Sequence, residues 1–472
     1  MTKILETHTM IRLAVCIVIG AAIWLVPAPE NVDQAGWHVL AVFVATLVSF
    51  LIKPLTMGPM VLLAIVFLSA TGTLRFADAL YGFGDTVVWL VVAAFLIAGS
   101  VAKTGLGRRI ALAMVAKLGR TTLGLGYSAA VAELILAPFV PSNTARGGGV
   151  MAPIMNSLAH ALDSKPDDNP ERAGSYLMLV GAHSNLVTAA MFLTGMAGNV
   201  LVSRAAKDIF EVDFGWGTWL LGSIVPGLVT LAVLPYFLHR LVKPTMRDGR
   251  AAQQKAETEL KSMGKLSQHE LIMATVFALL LILWVSSPLH GLGTGVVALI
   301  GVSILILTGV QPWSETTGNS GAWDTLIWLG GLVSMAKALK DKGVIDWFAN
   351  SVQVYVTGFD AVMVAVLLAV IYFYSMYAFS MLTGHIAAMA GAFFTIAIAA
   401  GSPPLLMIAL FAYFSDLCGC TTNYSSGPVC IYYGLGYVKA SHWYQTGFLV
   451  SLLHLGIWLS IGMGWWKILG WW

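Results

Sequence analysis

The sequence predicts an all-α integral membrane protein with about eleven transmembrane helices and two re-entrant hairpins. Hydrophobic residues make up 58% of the 472-residue chain and charged residues only 10%. The mean hydropathy is +0.81. Apolar stretches of roughly 20 residues, the length that crosses the hydrocarbon core, recur along the chain. Other apolar stretches are interrupted by Gly, Pro and polar residues, which is typical of hairpins that enter the membrane and turn back.

The first apolar stretch, residues 11–27, lies near the basic residues Lys3 and Arg12. A stretch of this kind also fits the apolar region of a signal peptide. About ten further spans follow it, so we interpret it as a membrane anchor. The net charge of +3 is small for this length, and nucleic acid is therefore not an expected partner.

A basic polar stretch divides the chain nearly in half. We expect an N-terminal half (1–240) with about six spans and the first hairpin, a loop (241–268), and a C-terminal half (269–472) with about five spans and the second hairpin. Basic residues concentrate on the cytoplasmic side of membranes, so we predict a cytoplasmic loop and N-terminus in a plasma or inner membrane. A second basic group should share that side: Lys103, Arg108, Arg109, Lys117 and Arg120.

The two halves show weak internal similarity at a constant offset of 239 residues. GDTVVWL at 84–90 matches WDTLIWL at 323–329, Gly119 matches Gly358, and Thr144 matches Thr383. An odd number of spans in the second half would turn it upside down, which predicts an inverted repeat with a site near the bilayer midplane. The alternative is an old duplication that serves packing alone.

The first predicted hairpin covers residues 135–155, where a polar turn separates two short apolar pieces. Ser142, Asn143 and Thr144 form its tip, at the start of a helix. Free amides and the positive end of the helix dipole make such a tip a site for an anion. The alternative is an ordinary N-cap followed by three glycines that allow close packing.

The second predicted hairpin covers residues 377–394, where Thr383 and Gly384 follow the tip and Met381 and Leu382 replace the Ser-Asn pair. Two further spans are broken by Gly and Pro, at residues 192–199 and 420–428. We expect both to expose backbone and hydroxyl groups to a ligand, although such residues also pack between helices. The binding residues expected in them are Thr194, Gly195, Thr422 and Asn423.

These motifs resemble the divalent-anion:sodium symporter family of di- and tricarboxylate transporters. The SNT tip, FLTGMAGN, TTNYSSGP running into IYYGLGYV, and HWY are most similar to its bacterial branch of citrate/succinate, tartrate/succinate and 2-oxoglutarate/malate translocators. The resemblance implies a homodimer in which a scaffold domain holds an elevator-type transport domain. It also implies that Ser142, Asn143 and Thr144 bind one carboxylate and, in symporters, a sodium ion.

Arg146 and His385 stand two residues after the two tip threonines, again 239 residues apart. A charge at membrane depth is costly and usually marks a substrate or ion path. We hypothesise that both residues compensate the substrate's charge in place of sodium, which favours a sodium-independent dicarboxylate exchanger. The alternatives are an Arg146 that snorkels or pairs with Glu133, and a His385 that is a neutral core residue or couples transport to protons.

Other classes of function are less well supported by the sequence. An anion channel can also contain hairpins, and sodium- or proton-coupled symport stays open, with Asp416 a candidate proton relay. An enzyme would need a nucleophile and base or a metal centre, and the histidines are scattered. Cys418 and Cys420 lack partners at zinc-site spacing, so we expect no catalytic residue, metal or cofactor.

Overall fold

The structure, a computed structural model, describes residues 7–140, 142–356 and 358–472. Within these ranges every regular secondary-structure element is a helix and no strand is found, which confirms the predicted all-α class. The helices of the first part of the chain are α1 (Thr7–Trp24), α2 (Gln34–Ile52), α3 (Met57–Ala70), α4 (Phe76–Ala79), α5 (Thr86–Thr104), α6 (Leu106–Leu118), α7 (Thr122–Leu136), α8 (Ala152–Ala161), α9 (Gly174–Met191), α10 (Asn199–Phe210), α11 (Trp216–Val242) and α12 (Arg250–Ser262).

The second part of the chain continues the helical pattern. Its helices are α13 (Gln268–Val285), α14 (Ser287–His290), α15 (Thr294–Leu307), α16 (Trp313–Gly318), α17 (Ser320–Asp341), α18 (Val344–Val356), α19 (Ala361–Ser375), α20 (Leu382–Ala399), α21 (Pro404–Leu417), α22 (Gly427–Gly434), α23 (Ala440–Ile457) and α24 (Met463–Ile468). Short 3-10 turns lie at Tyr81–Gly84, Leu193–Gly195, Met376–Ala378 and Cys418–Thr421, and π-helical segments at Thr144–Met151 and Trp458–Gly462.

In the described ranges, nine helical stretches are long and apolar enough to cross a membrane. Three shorter apolar helices, α3, α7 and α15, accompany them. The chain is therefore a multi-pass membrane protein, as predicted. One of the nine stretches, Leu382–Ala399, is the outgoing arm of the predicted second hairpin, so length alone does not separate spans from hairpin arms.

The helix bounds agree with the 239-residue offset. Helix α7 runs from Thr122 to Leu136, and α19 runs from Ala361 to Ser375, so both ends differ by that number. Each of these helices leads into one of the predicted tips. The inversion of the second copy stays a prediction.

Two helices, α9 and α21, form the buried centre of the molecule and pack against each other. Small residues in α9 allow the close approach that helices in a membrane favour. At Gly181, for example, a Cβ atom would lie 2.5 Å from the ring of Tyr432. This centre supports the two broken spans, because α9 leads into the first one and α21 leads into the second.

The basic loop between the halves is partly helical, since it contains α12. It folds back on α6 and α8 and contacts the second basic group. Arg109 Nε donates to Glu270 Oε1 at 2.6 Å, and Arg108 donates to Glu259 at 2.8 Å. The second basic group therefore lies against the loop and the start of α13, and the cytoplasmic location of both groups stays a prediction.

Candidate functional site

Both predicted hairpin tips line one cavity of about 600 Å³. Ser142, Asn143 and Thr144 contribute from the first tip, and Thr383 and Gly384 contribute from the second. This volume lies within the range of small-molecule sites, roughly 300–1,000 Å³. The sequence thus identified two segments, far apart in the chain, that the fold brings to one pocket.

The first tip brings one unpaired side-chain donor close to the cavity. Ser142 Oγ accepts from the amide of Ala145 at 3.1 Å, near the start of the π-helical segment Thr144–Met151. Asn143 is buried, and its Nδ2 has no hydrogen-bond partner among the described residues. An amide donor at a helix start suits a carboxylate, because the helix dipole adds positive potential there.

The glycines after this tip allow close packing, as the structural alternative required. A Cβ atom on Gly147 would lie 2.7 Å from Asn185 Nδ2, and one on Gly148 would lie 2.2 Å from Ile431 Cδ1. Both distances are shorter than a side chain tolerates. The glycines therefore bring the first hairpin against α9 and α22, and the neighbouring polar tip lines the cavity.

The second tip differs from the first in the way the sequence predicts. Helix α20 begins at Leu382, and Met381 provides no side-chain cap. The Leu382 amide instead donates to Ser425 O at 2.8 Å, which ties this tip to the second broken span. Thr383 keeps the hydroxyl that faces the same cavity as Thr144.

The broken spans reach the cavity, but through neighbours of the residues expected from the sequence. Thr194 donates to Pro138 O at 2.7 Å and accepts from Trp216 Nε1 at 3.1 Å, so its hydroxyl is engaged in the fold. Gly195 O accepts from Arg146. The next two residues, Met196 and Ala197, line the cavity instead.

The same shift occurs in the second broken span. Thr422 O accepts from Trp443 Nε1 at 3.1 Å, and Asn423 Oδ1 accepts from the Tyr444 hydroxyl at 3.2 Å. The cavity is lined here by Ser425, Ser426 and Gly427. The Pro- and Gly-rich pattern located the segment and left open which of its residues face the pocket.

Arg146 is fully buried behind the first tip and does not line the cavity. Its Nε donates to Glu133 Oε2 at 2.6 Å, which is the ion pair that the alternative interpretation foresaw. Its terminal nitrogens donate to the carbonyls of Val140 (2.7 Å), Gly195 (3.1 Å) and Asn185 (3.5 Å). The guanidinium thus joins the first hairpin to the first broken span.

His385 is also fully buried and lies outside the cavity wall. Its Nε2 is 2.7 Å from Ser375 Oγ, and its ring stacks on Tyr372 with 4.2 Å between centroids. These contacts link the second tip helix to α19, the helix that leads into the tip. Arg146 and His385 therefore occupy comparable places, each one turn behind a tip.

The cavity contains two charged residues that the sequence did not single out as ligands. Lys53, which ends α2 with a left-handed backbone (φ 51°), and Asp324 on α17 both line it. Thr325 lies beside them. The signal for Asp324 and Thr325 was present in the repeated WDTLIWL string, and the signal for Lys53 was the Lys-Pro break at the end of an apolar span.

Comparison with known proteins identifies relatives along almost the whole chain. A family described as the sodium:sulfate symporter transmembrane region matches residues 7–472. The chain is 41% identical to the putative malate transporter YflS of Bacillus subtilis over 98% of this chain and 97% of that protein. It is 39% identical to the chloroplastic dicarboxylate transporter 1 of Arabidopsis thaliana, over 96% of this chain and 82% of that protein.

A bacterial relative and a solved structure extend the comparison. The citrate/succinate antiporter of Escherichia coli is 32% identical, over 98% of both chains. The crystal structure of the YdaH transporter of Alcanivorax borkumensis, described as having an unusual topology, covers 97% of this chain and 96% of its own with a TM-score of 0.57. Its sequence is 14% identical, so this likeness concerns the fold alone.

Proposed function

We propose, from the premise that this chain belongs to the sodium:sulfate symporter family, that it is a secondary active transporter of di- and tricarboxylates. The names of its full-length relatives, a malate transporter, a dicarboxylate transporter and a citrate/succinate antiporter, support this substrate class. The observation that carries the proposal is the meeting of both tips at one cavity. Amide and hydroxyl donors at two tips suit an anion with two carboxylates.

The proposed mode of transport is sodium-independent exchange of the 2-oxoglutarate, malate and succinate type. Arg146 supports this mode, because its guanidinium is held by three backbone carbonyls and Glu133, the kind of oxygen ligands that an alkali ion takes. A permanent cation behind the first tip would keep the tip helix in its binding conformation without sodium. His385 would support the second tip through its hydrogen bond with Ser375.

Such a carrier would exchange substrates, because an empty site would leave the tip donors unpaired at membrane depth. When a carboxylate is bound, it accepts hydrogen bonds from these donors, and the substrate-binding site can then cross the membrane. Exchange therefore follows from the cost of moving unsatisfied polar groups through a lipid environment.

Sodium-coupled symport is the second candidate mode. It is favoured by the first tip, where Ser142, Asn143 and Thr144 keep the oxygen atoms that the family resemblance assigns to sodium. The second tip lacks two of these polar groups, since Met381 and Leu382 replace them. We favour exchange over symport because the second tip lacks these two polar groups and because Arg146 already places a fixed cation behind the first tip.

The remaining parts of the proposal concern architecture. The halves 1–240 and 269–472 would be inverted repeats, with the hairpins and broken spans in an elevator-type transport domain and a scaffold that forms a homodimer. The charge pattern supports a cytoplasmic location for the loop 241–268 and for the residues before α1. Crosslinking of paired cysteines between a hairpin and α17, in two distinct registers, would test the elevator motion.

Counterflow in proteoliposomes tests the mode of transport. Uptake of labelled dicarboxylate is measured with and without internal dicarboxylate, and with sodium or choline outside. We expect saturable uptake that requires internal substrate and is equal in both salts. Strong sodium dependence in empty vesicles would support symport, and non-saturable flux with unitary currents would support a channel.

A further inference from the structure

Asp416, at the end of α21, is a carboxyl group for which the described structure provides no hydrogen bond. The side chain is fully buried, and both carboxylate oxygens lack a partner among the described residues. An isolated buried carboxylate is strongly disfavoured, because its charge has lost its water without gaining a donor. Asp416 therefore needs a bound cation or a proton in this conformation.

Asn199 lies beside Asp416, at the start of α10, a helix packed against α21. Asn199 Nδ2 donates to the carbonyls of Ala189 and Phe192, both at 3.0 Å. Its Oδ1 is buried without a partner. The two carbonyls fix the amide orientation, since the flipped side chain would place an oxygen against them. Asn199 thus offers an acceptor, and not a donor, to Asp416.

Two acceptor oxygens that face each other are compatible only if a positive atom lies between them. A protonated Asp416 supplies that atom, because its O–H can donate to Asn199 Oδ1. One proton then satisfies both orphaned groups. The Asp416 oxygens and a single amide oxygen are few ligands for a metal ion, which leaves the proton as the better occupant.

The local charge count leads to the same conclusion. Glu133 and Asp416 are two fully buried acids, and Arg146 is the buried cation that acts on both. Arg146 already donates to Glu133 and to backbone carbonyls. If both acids were ionised, one negative charge would remain uncompensated at membrane depth, at a cost that proteins avoid.

The other titratable groups near Asp416 do not supply a donor. Tyr372 on α19 is directed to Ser415, with 2.7 Å between the two oxygens. Cys418 lies two residues further along the chain, and its Sγ is 3.5 Å from Ser415 O. His385 on α20 contacts Ser375. His183 on α9 lies beside Trp443, and both of its ring nitrogens lack a partner among the described residues. On α10, Arg204 pairs with Asp85 and Asp208.

We propose that Asp416 and Asn199 form a buried site for one proton, and that the carrier needs this proton to move its loaded substrate site. The site lies behind both broken spans. Asn199 lies two residues after Ala197, which lines the cavity together with Met196, and Asp416 precedes the second broken span. Loss of the proton would leave an unpaired charge between the two spans and oppose their passage through the membrane.

This inference rests on the proposed transport function, but its first test does not require transport. Infrared difference spectra of the purified protein in lipid, without substrate, are recorded between about pH 7 and about pH 9.5, where a buried carboxyl can titrate. We expect the carbonyl stretch of a protonated carboxyl that disappears in Asp416→Asn and persists in Asp248→Asn, which removes an exposed acid outside the cluster of Glu133, Arg146 and Asp416. An ionised Asp416 at pH 7 would overturn the proposal.

The second test measures dicarboxylate exchange over the same pH range, where the substrate is fully ionised. Wild-type exchange should fall about tenfold per pH unit once the proton is lost. Asp416→Asn, whose amide can donate to Asn199 Oδ1 as the protonated acid does, should lose this pH dependence, so that its own exchange rate varies less than about twofold across the range. An identical pH profile in wild type and Asp416→Asn contradicts the proposal.

A matched swap separates a shared proton from a general packing role. Asn199→Asp alone places two acids face to face and should abolish exchange above neutral pH. Adding Asp416→Asn restores one acid and one amide in exchanged places, and we expect exchange and its pH dependence to return. If the swap stays inactive while folded, as judged by its melting temperature, Asp416 is not part of a shared proton site.

Absence of exchange in the wild type would count against the transport function, while the infrared result would still decide the proton site.

Discussion

Thr144 at the first tip contacts Gly427 of the second broken span so closely that a Cβ atom on Gly427 would lie 2.2 Å from Thr144 Oγ1. The clash would extend to Cβ of Thr144, at 3.0 Å, so rotation of the hydroxyl alone cannot relieve it. Thr144, from the first half of the chain, and Gly427, from the second half, therefore touch at the cavity wall. Only glycine at position 427 keeps Thr144 in its observed place.

Substitution of Gly427 tests this contact. Gly427→Ala should displace the first tip by a few tenths of an ångström or more and reduce exchange by about two orders of magnitude, because small misplacements of binding groups are costly. Counterflow in proteoliposomes measures the effect. Gly149→Ala is the matched control, since no atom lies within 4 Å of its Cβ position. Equal activity of the two variants would show that the contact does not position the tip.

The buried pair of Glu133 and Arg146 predicts a non-additive effect on stability. Glu133→Gln and Arg146→Met each leave one buried charge unpaired, and each should lower the free energy of unfolding by about 3–5 kcal/mol. The double variant removes both charges and should recover much of the loss. Thermal melts of the protein in detergent measure this, and additive losses would contradict a direct ion pair.

The same variants separate stability from transport. If Arg146 replaces sodium in the first half, the double variant should stay folded and still lose sodium-independent exchange. Exchange that persists in the folded double variant would show that the guanidinium serves packing alone.

Lys53 is the basic residue among the described residues that line the cavity, and Asp324 is the acidic one. A substrate dianion should be attracted by the first and repelled by the second. Lys53→Gln should raise the KM for dicarboxylate about fivefold, as expected for one charge at a few ångströms in a wet pocket. Asp324→Asn should lower it. Lys53→Arg is the control and should stay near the wild type, and a KM insensitive to salt in the wild type would argue against both roles.

The sequence predicted the tips well, because polar residues and glycines inside apolar sequence are costly unless a cavity or close packing satisfies them. The same reasoning could not rank the partners of Arg146. Glu133 lies on α7, 13 residues before Arg146 in the chain. Whether Arg146 pairs with that carboxylate or with a ligand depends on how far the hairpin folds back towards α7. Thr194 and Thr422 missed the cavity for a similar reason, since the direction of a side chain in a broken span is set by its neighbours.

The two aspartates of the repeat show a second limit. Asp85 caps α5 by accepting from the Val87 amide at 2.9 Å, and its other oxygen pairs with Arg204 at 2.6 Å. Its counterpart Asp324 lies inside α17, because Asn319 caps that helix earlier and leaves Asp324 to face the cavity. Matching sequence therefore produced different roles once one helix began several residues sooner.

Gly198, in the first broken span, offers the reciprocal test at the second tip. A Cβ atom there would lie 3.4 Å from Thr383 Oγ1, an ordinary contact, and 2.9 Å from Ile386 Cδ1 and Met196 Cε. The two close atoms are ends of flexible side chains, which can move at little cost, whereas the atoms that oppose Gly427 belong to a β-branched residue. Gly198→Ala should therefore reduce exchange by less than about tenfold. A loss as large as that of Gly427→Ala would mean that the second tip is held as tightly as the first, and that the two sites differ in chemistry but not in rigidity.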